Sequence, residues 1–522
     1  MATRPNIILV MVDDMGFSDL GCYGGEIRTP TLDRLAENGV RFTRFYNCAR
    51  CCPTRASLLT GLYPHQAGIG HMTSENEPTR AFNTAIDDEA YQGHLNDRCV
   101  TIAEALRHGG YRTYMSGKWH VGTDRPNWPV DRGFDRYYGI IRGACNYFRP
   151  QDDRLLLNGT EPVTTGDGYY TTDAFSDFAA RCIDEHDATD PFFLYLAYNA
   201  PHWPLHAWPQ DIERYRGRYL IGWDELRERR FARQKEIGLF GRDTRMSPRD
   251  AESPAWDDVD NKDEWDLRMA VYAAMVDRVD QGLARVVESL ERTGQFDNTL
   301  IMFLDDNGAC AESFNTEPDI PAGPEESSTG VWLPWANASN TPFRLFKHFA
   351  HEGGINTPMI AHWPAGITTP RIERDYAAHV KDVMATCMEL ADVRYPSKYR
   401  GRPILPTESS SFAPVLSGPR GENPDPIFWE HEGNRAVRDG RWKLVSYYAD
   451  AHGFRRGRRV GAGCRVGPWE LYDTTSDPTE VDDLSSREPG RAAAMMRMYD
   501  EYANRTGVID WETIQRIHGN CP

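Results

Sequence analysis

The sequence predicts an α/β protein in which a large, mostly parallel, doubly wound sheet is followed by a smaller α+β domain with an antiparallel sheet. Two observations support the larger part. Apolar runs rich in β-branched residues, of which Ile7 to Val12 is the first, are typical of strands buried on both faces. These runs alternate with amphipathic helical segments as far as about residue 400, which is the pattern of a parallel sheet with crossover helices.

The third observation is a change in composition towards the C-terminus. The stretch 402–426 is rich in Pro, Gly and Ser, and shorter elements follow it. The elements predicted in this part are antiparallel strands at 435–437, 441–448 and 469–472 and an amphipathic helix at 490–503. We therefore predict two domains, residues 1–426 and 427–522.

The elements of the first domain follow in order from their patterns. The predicted strands are 7–12, 40–46, 112–116, 191–198, 299–304 and 358–363, and the predicted helices are 31–38, 102–108 and 267–290. Thr101 and Glu104 form a capping box at the start of the second helix, and Gly109 ends it. The segment 206–262 is charged and aromatic, with little periodicity. Long connections within a domain are usually functional or disordered, and we predict that this one forms a wall or lid over a pocket.

The composition limits the classes of protein to consider. Of 522 residues, 40% are hydrophobic and 26% are charged, as in ordinary globular proteins. The 59 basic and 77 acidic residues give a net charge of −18, which argues against a nucleic-acid partner and requires any anion-binding site to be locally basic. Eleven cysteines in a chain of this length do not indicate a disulfide framework.

The N-terminal apolar run is short. It covers 7–12 and is closed by two aspartates, so it is too short for a signal peptide and for a membrane span. No later stretch is long enough to span a membrane either. We predict a cytoplasmic protein, or an exported one whose leader has been removed, with no membrane span.

The stretch CCPTRASLLTG at 51–61 places a cysteine where a loop turns into a helix. Pro53 suits the first helical turn, where its missing N–H costs nothing. The helix N-terminus and Arg55 together favour an anion beside Cys51. One alternative is a buried structural cysteine. Another is half of a zinc site in Cys48-x-x-Cys51, but no second CxxC or paired His cluster completes it.

Polar residues follow several of the predicted strands. In open parallel sheets, ligands bind at the carboxyl ends of the strands, so these residues are expected to share one edge. They are Asp13 and Asp14, Cys51 and Arg55, Lys118 and His120, His202, Asp306 and Asn307, with Lys347 near a sixth strand. A single Lys or His in such a place is usually a solvated loop residue. Six such groups at one edge predict a functional site.

Four of these residues offer only oxygen atoms, which suits a hard cation. They are Asp13, Asp14, Asp306 and Asn307. Carboxylate and amide oxygens from distant strands favour Ca²⁺ over Mg²⁺, because Ca²⁺ tolerates irregular coordination. The Arg, Lys and His side chains would surround the same point with positive charge. A metal within a ring of cations stabilises a multiply charged oxyanion during transfer.

Seven segments carry a resemblance to a known family. They are RPNIILVMVDDMGFSDLGCYGG, TPTLDRLAENGVRFTRFY, CCPTRASLLTG, GYRTYMSGKWHVG, APHWPLH, LDDNGA and KHFAHEGG. They cover residues 5 to about 365 in family order, and LYDTTSDPTEVDDL resembles the family's small C-terminal domain. The chain resembles the type I sulfatases of the arylsulfatase family, within the alkaline-phosphatase-like superfamily.

The resemblance implies a modified residue and a metal site. Cys51 corresponds to the cysteine that a formylglycine-generating enzyme oxidises to the aldehyde formylglycine after reading Pro53 and Arg55, while Cys52 stays a thiol. The implied Ca²⁺ ligands are Asp13, Asp14, Asp306, Asn307 and an oxygen of the modified Cys51. The residue before Asp306 is Asp where relatives often have Ser or Thr, and Asp306 is taken as the ligand because it adjoins Asn-Gly.

The resemblance also implies roles in catalysis. One hydroxyl of the hydrated aldehyde attacks sulfur and forms a sulfate ester, and the other loses a proton to a base, so that sulfate leaves and the aldehyde returns. The implied roles are holding and deprotonating the diol for Arg55 and His120, binding sulfate oxygens for Lys118 and Lys347, and protonating the leaving alcohol for His202.

Two other functions are compatible with these motifs. A sister class keeps the same metal site but hydrolyses phosphate diesters or phosphonate esters. A catalytically silent binding relative would have lost part of the constellation, whereas every expected position is filled here.

A sulfated saccharide is the predicted substrate. Aromatic residues with amide and acid hydrogen-bonding groups suit a sugar pocket. The candidates are Trp203, the stretch 332–335 with its two tryptophans, Asn337, Asn340 and the stretch 429–435. The alternative is that these tryptophans pack between domains and that the substrate is an aryl or lipid sulfate.

Overall fold

The structure, a computed structural model, describes residues 4–313, 315–448 and 466–518. The outer ends of the two predicted domains, residues 1–3 and 519–522, therefore lie outside the described residues. In the part that is described, no helix is both long and apolar enough to cross a membrane.

The strands alternate with helices through most of the chain. The strands are β1 (Asn6–Asp13), β2 (Val40–Phe42), β3 (Phe45–Tyr46), β4 (Arg112–Gly117), β5 (Arg136–Ile140), β6 (Leu156–Asn158), β7 (Glu161–Pro162), β8 (Phe192–Pro201), β9 (Thr299–Asp305), β10 (Met359–His362), β11 (Arg371–Glu373), β12 (Ala378–His379), β13 (Lys398–Tyr399), β14 (Arg402–Pro403), β15 (Ile427–His431), β16 (Asn434–Asp439), β17 (Trp442–Ser446) and β18 (Glu470–Asp473).

The helices vary widely in length. They are α1 (Pro30–Glu37), α2 (Cys51–Thr60), α3 (Glu77–Ile86), α4 (Ile102–His108), α5 (Thr171–Asp184), α6 (Pro209–Glu213), α7 (Gly222–Glu236), α8 (Lys262–Arg292), α9 (Trp332–Ser339), α10 (Glu352–Ile355), α11 (Asp382–Ala391), α12 (Ala413–Ser417), α13 (Pro489–Thr506) and α14 (Trp511–Ile517). The predicted capping box of α4 is present, because the Thr101 side chain accepts from Glu104 N–H and the Glu104 side chain accepts from Thr101 N–H.

The central sheet has ten strands in the order β11-β2-β10-β9-β1-β8-β4-β5-β6-β7. Its middle five strands, from β9 to β5, run parallel to one another. β1 and β8 are buried along their whole length, as their continuous apolar sequences require. The predicted α/β class, with helices around a sheet whose centre is parallel, is confirmed.

The flanks of the sheet are less regular than the sequence predicts. β10 is antiparallel to both β9 and β2, and β6 and β7 form an antiparallel edge. The predicted strand 40–46 is two strands, because the chain leaves the sheet after Phe42 and β3 pairs with β12 in a separate two-stranded sheet.

The segment 206–262 contains more regular structure than its composition indicates. Helix α7 lies within it, and its buried residues include Arg227 and Arg230. Arg230 forms ion pairs with Asp19 and Glu26, at 2.6 and 2.8 Å. A helix that buries arginines through ion pairs shows little apolar periodicity, which is why the pattern did not predict it. That the segment forms a wall or lid over a pocket stays a prediction.

The C-terminal sheet is antiparallel, in the order β15-β16-β17-β18, as predicted. One face packs against α13 through Tyr499 and Tyr502. The other face packs against the central part of the molecule through Trp429, whose indole N–H donates to the Asn47 carbonyl at 2.7 Å and whose ring meets Tyr46. The sheet therefore lies against the loop that leads into α2.

Candidate active site

Adjacent parallel strands bring the predicted polar residues to one edge. β1 ends at Asp13, β4 leads into Lys118, β8 leads into His202, and β9 ends at Asp305. These four strands are neighbours in the sheet, so their carboxyl ends meet. Of the ten predicted site residues, all are buried.

Asp13 lies at the centre of one group of charges. Lys118 Nζ donates to Asp13 Oδ2 at 2.6 Å, and Arg55 Nη2 lies 3.6 Å from the same oxygen. Arg55 also donates to Asp306 Oδ2 through Nε and Nη2, at 2.9 and 2.7 Å. Burial opposes ionisation of Asp13, yet Lys118, His202 and Arg55 hold its pKa at about 2.

Asp14 organises a second group. Its Oδ1 accepts hydrogen bonds from Lys347 Nζ at 2.6 Å and from Asn307 Nδ2 at 2.7 Å. His202 Nε2 lies 3.4 Å from Oδ2 of the same carboxylate. Nδ1 of His202 lies 2.6 Å from the Trp203 carbonyl oxygen, which fixes the ring with Nε2 towards the site.

Several oxygens at this edge are buried without a hydrogen-bond partner among the described residues. They are Asp13 Oδ1, Asp14 Oδ2, Asp305 Oδ2, Asp306 Oδ1 and Asn307 Oδ1. A buried carboxylate oxygen without a partner is costly, and a divalent cation with oxygen ligands would remove that cost. The donor set fits Ca²⁺. Asp305, which the sequence motif left aside, also has one of these oxygens without a partner at this edge.

The pKa values of two carboxyl groups show the same imbalance. Burial, followed by the charge of Asp13, raises the pKa of Asp306 to about 8 although Arg55 opposes the shift. Burial and the neighbouring Asp306 raise the pKa of Asp305 well above its usual range. The positive charges of the chain alone are therefore too few to keep both carboxyl groups ionised, and a bound cation would favour their ionised form.

Cys51 is the first residue of α2, and Arg50 before it is extended, with φ of −149°. A hydrogen bond with the Cys52 thiol, followed by the positive charges of Lys118 and His120, holds the pKa of the Cys51 thiol well below its usual range. Burial raises the pKa of Cys52, whose Sγ lies 3.5 Å from Met72 Sδ. The two adjacent cysteines thus differ in their surroundings. Cys51 faces the charged edge of the sheet, and Cys52 packs against Met72.

The structure adds Glu75, which sequence reasoning missed. Its Oε1 lies 2.6 Å from His120 Nε2, and its Oε2 accepts from Arg154 and from the Gly143 N–H, both at 3.3 Å. Burial opposes ionisation, but His120 lowers the pKa of Glu75 to about 2. Glu75 lies in a loop between α2 and α3 and follows no strand, so no local signal marked it.

A second missed group lies at the rim. Arg50 Nη1 lies 2.7 Å from Glu312 Oε1, and the Trp203 indole N–H donates to Glu312 Oε2 at 3.2 Å. Burial opposes ionisation, yet Arg50 and Lys347 lower the pKa of Glu312 to about 2. A cavity beside Asp14 is lined in part by Trp203 and Glu312.

Two of the predicted sugar-pocket residues, Trp335 and Asn340, lie in the core. Trp335 is fully buried against Trp223, and its indole N–H donates to the Trp265 carbonyl. Asn340 binds backbone groups of Ala309 and Leu345. Trp335 and Asn340 therefore pack inside the central part of the molecule, and not between domains as the alternative stated. Trp203 remains at the rim.

Two protein-family models match this chain. The family model described as Sulfatase matches residues 5–393, and the model described as N-sulphoglucosamine sulphohydrolase, C-terminal, matches residues 343–504.

Three curated relatives are similar over most of their lengths. An uncharacterised sulfatase of Schizosaccharomyces pombe is 32% identical and covers 97% of this chain and 94% of its own. An arylsulfatase of Klebsiella aerogenes is also 32% identical, over 79% and 92%. N-acetylgalactosamine-6-sulfatase of Rattus norvegicus is 28% identical, over 95% and 82%.

Among solved structures, that of Ps i-CgsB in complex with k-i-k-neocarrahexaose has a TM-score of 0.69 at 24% identity. It covers 99% of this chain and 98% of its own, so the two folds correspond along almost their whole length.

Proposed function

This chain belongs to the sulfatase family and is a sulfuric ester hydrolase, and from that premise we propose that it desulfates a saccharide with a formylglycine at Cys51 and a bound Ca²⁺. The observation that carries the proposal is that a cysteine beside cationic side chains and carboxylates with unpartnered oxygens meet at one edge of the sheet. Cys51 begins a helix beside Lys118 and His120, and the neighbouring carboxylates of Asp13, Asp14 and Asp306 hold oxygens without partners.

The proposed metal ligands are Asp13, Asp14, Asp306, Asn307 and the modified Cys51. Their unpartnered oxygens are hard donors, which suits Ca²⁺. When bound, Ca²⁺ would supply positive charge to a hydroxyl of the nucleophile and to the sulfate oxygens. Arg55 bridges Asp306 and the edge of Asp13, so it would keep both carboxylates in place for the ion.

The proposed nucleophile requires maturation. Formylglycine at position 51 would supply, as its hydrate, one hydroxyl that attacks sulfur and a second whose deprotonation releases sulfate. Cys51 is 3% exposed and Arg55 is fully buried, so a maturation enzyme that reads this stretch would have to act before the segment folds. The partner we propose for that step is a formylglycine-generating enzyme.

The remaining side chains take roles that their contacts support. Lys118 and Lys347 are fixed by Asp13 and Asp14 with their ammonium groups at the edge, where they would bind two sulfate oxygens. His120, held by Glu75, would take the proton of the diol. His202 would give a proton from Nε2 to the leaving oxygen, since Nδ1 is engaged with the Trp203 carbonyl.

The proposal that the leaving group is a saccharide rests on the residues at the rim of the site and on the names of the relatives. Glu312, Arg50 and Trp203 place carboxylate, guanidinium and indole groups beside the site, and sugars are bound by such mixed aromatic and polar surfaces. One of the relatives is named for a sulfated amino sugar. Another is named an arylsulfatase, so aryl sulfates belong in the test.

Two measurements test the proposal. Mass spectrometry of the peptide that contains residue 51 should show the aldehyde in active enzyme, and an unmodified thiol in fully active enzyme would contradict the mechanism. Turnover should be higher for a sulfated monosaccharide than for nitrophenyl sulfate, and higher for either than for bis-nitrophenyl phosphate. A preference for the phosphate diester would instead support the sister activity.

A further inference from the structure

A second cluster of side chains with metal-ligating atoms adjoins the site described above and shares none of its proposed ligands. It consists of His348, His431 and Glu432. His348 follows Lys347 in the central part of the molecule, whereas His431 ends β15 and Glu432 lies in the turn to β16. The cluster therefore joins the C-terminal sheet to the loop that carries Lys347.

The three side chains converge. Their ligand atoms all lie within 4.8 Å of one another. His348 Nδ1 lies 3.5 Å from Glu432 Oε2, and His431 Nε2 lies 3.6 Å from Glu432 Oε1. A separation of 3.6 Å is too long for a hydrogen bond. It is close to the ligand–ligand distance of about 3.4 Å in a tetrahedral site with Zn–N bonds of about 2.0–2.1 Å.

His431 supplies an independent observation. Its side chain is 2% exposed, and neither ring nitrogen has a hydrogen-bond partner among the residues that the structure describes. Buried imidazoles normally satisfy at least one nitrogen, and an ion placed between His431, His348 and Glu432 would satisfy one of these.

The backbone at the cluster is held in an unfavourable conformation. His348 has φ of 89° and Glu432 has φ of 50°, both in the left-handed region that residues other than glycine rarely adopt. Such conformations cost roughly 1–3 kcal/mol each and concentrate at functional sites. Both residues lie in turns, His348 in the turn closed by the Phe349 N–H and the Phe346 carbonyl and Glu432 in the two-residue loop between β15 and β16, and these turns account for the two φ values.

A fourth side chain orients the carboxylate. His71 Nδ1 lies 2.8 Å from Glu432 Oε1. Metal-binding carboxylates are commonly held by such an outer partner, which fixes their direction and strengthens binding.

We propose that His348, His431 and Glu432 bind a zinc ion. Two imidazoles and one carboxylate are ligands typical of Zn²⁺ and not of Ca²⁺, which takes oxygen ligands. Three protein ligands leave a fourth position for water or for a hydroxyl group of the substrate. The ion would tie the C-terminal hairpin to the loop of Lys347. The proposal does not depend on formylglycine or on the choice of substrate.

The test measures bound zinc directly. The purified protein is incubated with Zn²⁺ in excess Ca²⁺, which occupies oxygen-ligand sites, and freed of unbound metal before elemental analysis. We expect about one zinc per chain. The variants His431→Asn and Glu432→Gln should each retain at least ~10-fold less zinc than the wild type, because even loss of an outer partner weakens metal binding by ~10–100-fold.

The chain offers a matched control pair. His65 Nε2 and Glu430 Oε2 lie 2.9 Å apart and are buried. Glu430 precedes His431 in β15. The pair has one imidazole and one carboxylate, as in the cluster, but no second imidazole. His65→Asn and Glu430→Gln should therefore keep the zinc. Zinc retained equally by His431→Asn and by the wild type would overturn the proposal, because the ion would then lie elsewhere, for example at Cys51, Cys52 and His120.

Cobalt gives a readout that does not depend on variants folding. Co²⁺ added to the wild-type protein in excess Ca²⁺ should produce the intense visible absorption of a four-coordinate ion, and Zn²⁺ should displace it. No such absorption, together with less than a tenth of an equivalent of zinc retained by the wild type, would also overturn the proposal.

Discussion

Two regions of the molecule bury charged side chains, and they do so in opposite ways. At the carboxyl edge of the central sheet, Asp305 and Asp306 have raised pKa values and oxygens without partners. At the contact between the central part and the C-terminal sheet, Lys443 Nζ lies 2.8 Å from Glu352 and 2.7 Å from Glu480. There, although burial opposes it, Lys443 lowers the pKa of Glu352.

The difference shows what each region is built for. Paired charges in a buried contact are compensated within the chain, so they hold two parts of the molecule together in one arrangement. Uncompensated carboxylates are tolerated where an ion or substrate completes them. The same residue types therefore indicate structure in one place and function in the other, and substitutions should separate the two.

The largest effect is expected at the functional edge. Cys51→Ala should lower kcat/KM by on the order of 10⁴-fold or more, as loss of a covalent nucleophile does, with little change in the thermal midpoint. Cys52→Ala is the matched control, and it should keep most of the activity because that thiol faces packing. The reverse pattern, measured with one sulfate ester, would shift the nucleophile by one residue.

The next effect is expected at the compensated contact. Lys443→Met leaves Glu352 and Glu480 buried without their cation, and should lower the free energy of unfolding by about 3–5 kcal/mol. Activity per folded molecule should stay within a few-fold of the wild type. Arg34→Met, which breaks an exposed ion pair with Glu291, should cost no more than about 1 kcal/mol. Equal losses in urea unfolding would contradict the comparison.

Binding of Ca²⁺ should stabilise the protein through the carboxyl edge of the central sheet and not through the contact around Lys443. At a Ca²⁺ concentration about 100 times Kd, binding to the folded state contributes about 2.7 kcal/mol. Asp306→Asn should abolish the rise in thermal midpoint on adding Ca²⁺, whereas Asp305→Asn should keep more than half of it. If Asp305→Asn removes the rise and Asp306→Asn does not, the ligand assignment is wrong by one residue.

The smallest expected effect is the dependence on pH of the stability that Glu470 contributes. Arg344 and His351 lie 3.0 and 3.1 Å from Glu470 Oε2. Burial opposes ionisation, but hydrogen bonding and charge from His351 and the charge of Arg344 lower the pKa of Glu470 to about 2. A lowered pKa contributes stability above the unfolded value near 4.5, and this contribution is lost as the pH falls towards 2.

The variant Glu470→Gln should therefore be less stable than the wild type by about 1–3 kcal/mol at pH 7, with a gap that narrows below pH 4.5. Thermal midpoints of both proteins between pH 7 and 3.5 measure it. A gap that stays constant or widens on acidification would mean that Glu470 is not stabilised as the anion.

The site residues at strand ends could be predicted from the sequence, because the pattern that marks a buried strand also marks the residues that follow it. An apolar run followed by Asp13 and Asp14 reports both a buried strand and the residues at its end. The same holds for Lys118 and His202 after β4 and β8. Resemblance to sulfatases added the identity of the chemistry, which no pattern of residue types contains.

Contacts between distant segments were not readable. Nothing in the loop of Glu75 indicates that it meets His120, 45 residues away, and nothing in α7 indicates that Arg230 pairs with Asp19. The tryptophan at 335 was expected at a sugar pocket, yet it lies in the core against Trp223. An aromatic side chain suits either place, and only packing decides between them.

The sequence by itself thus determined the main buried strands of the central sheet, the class of fold and the residues at the edge, because short-range periodicity and chain direction fix these. The tertiary structure alone decided which charges are compensated. Ionisation of a buried carboxylate depends on cations within a few ångströms, and those come from segments far apart in the chain: Lys443 reaches Glu352 across 91 residues.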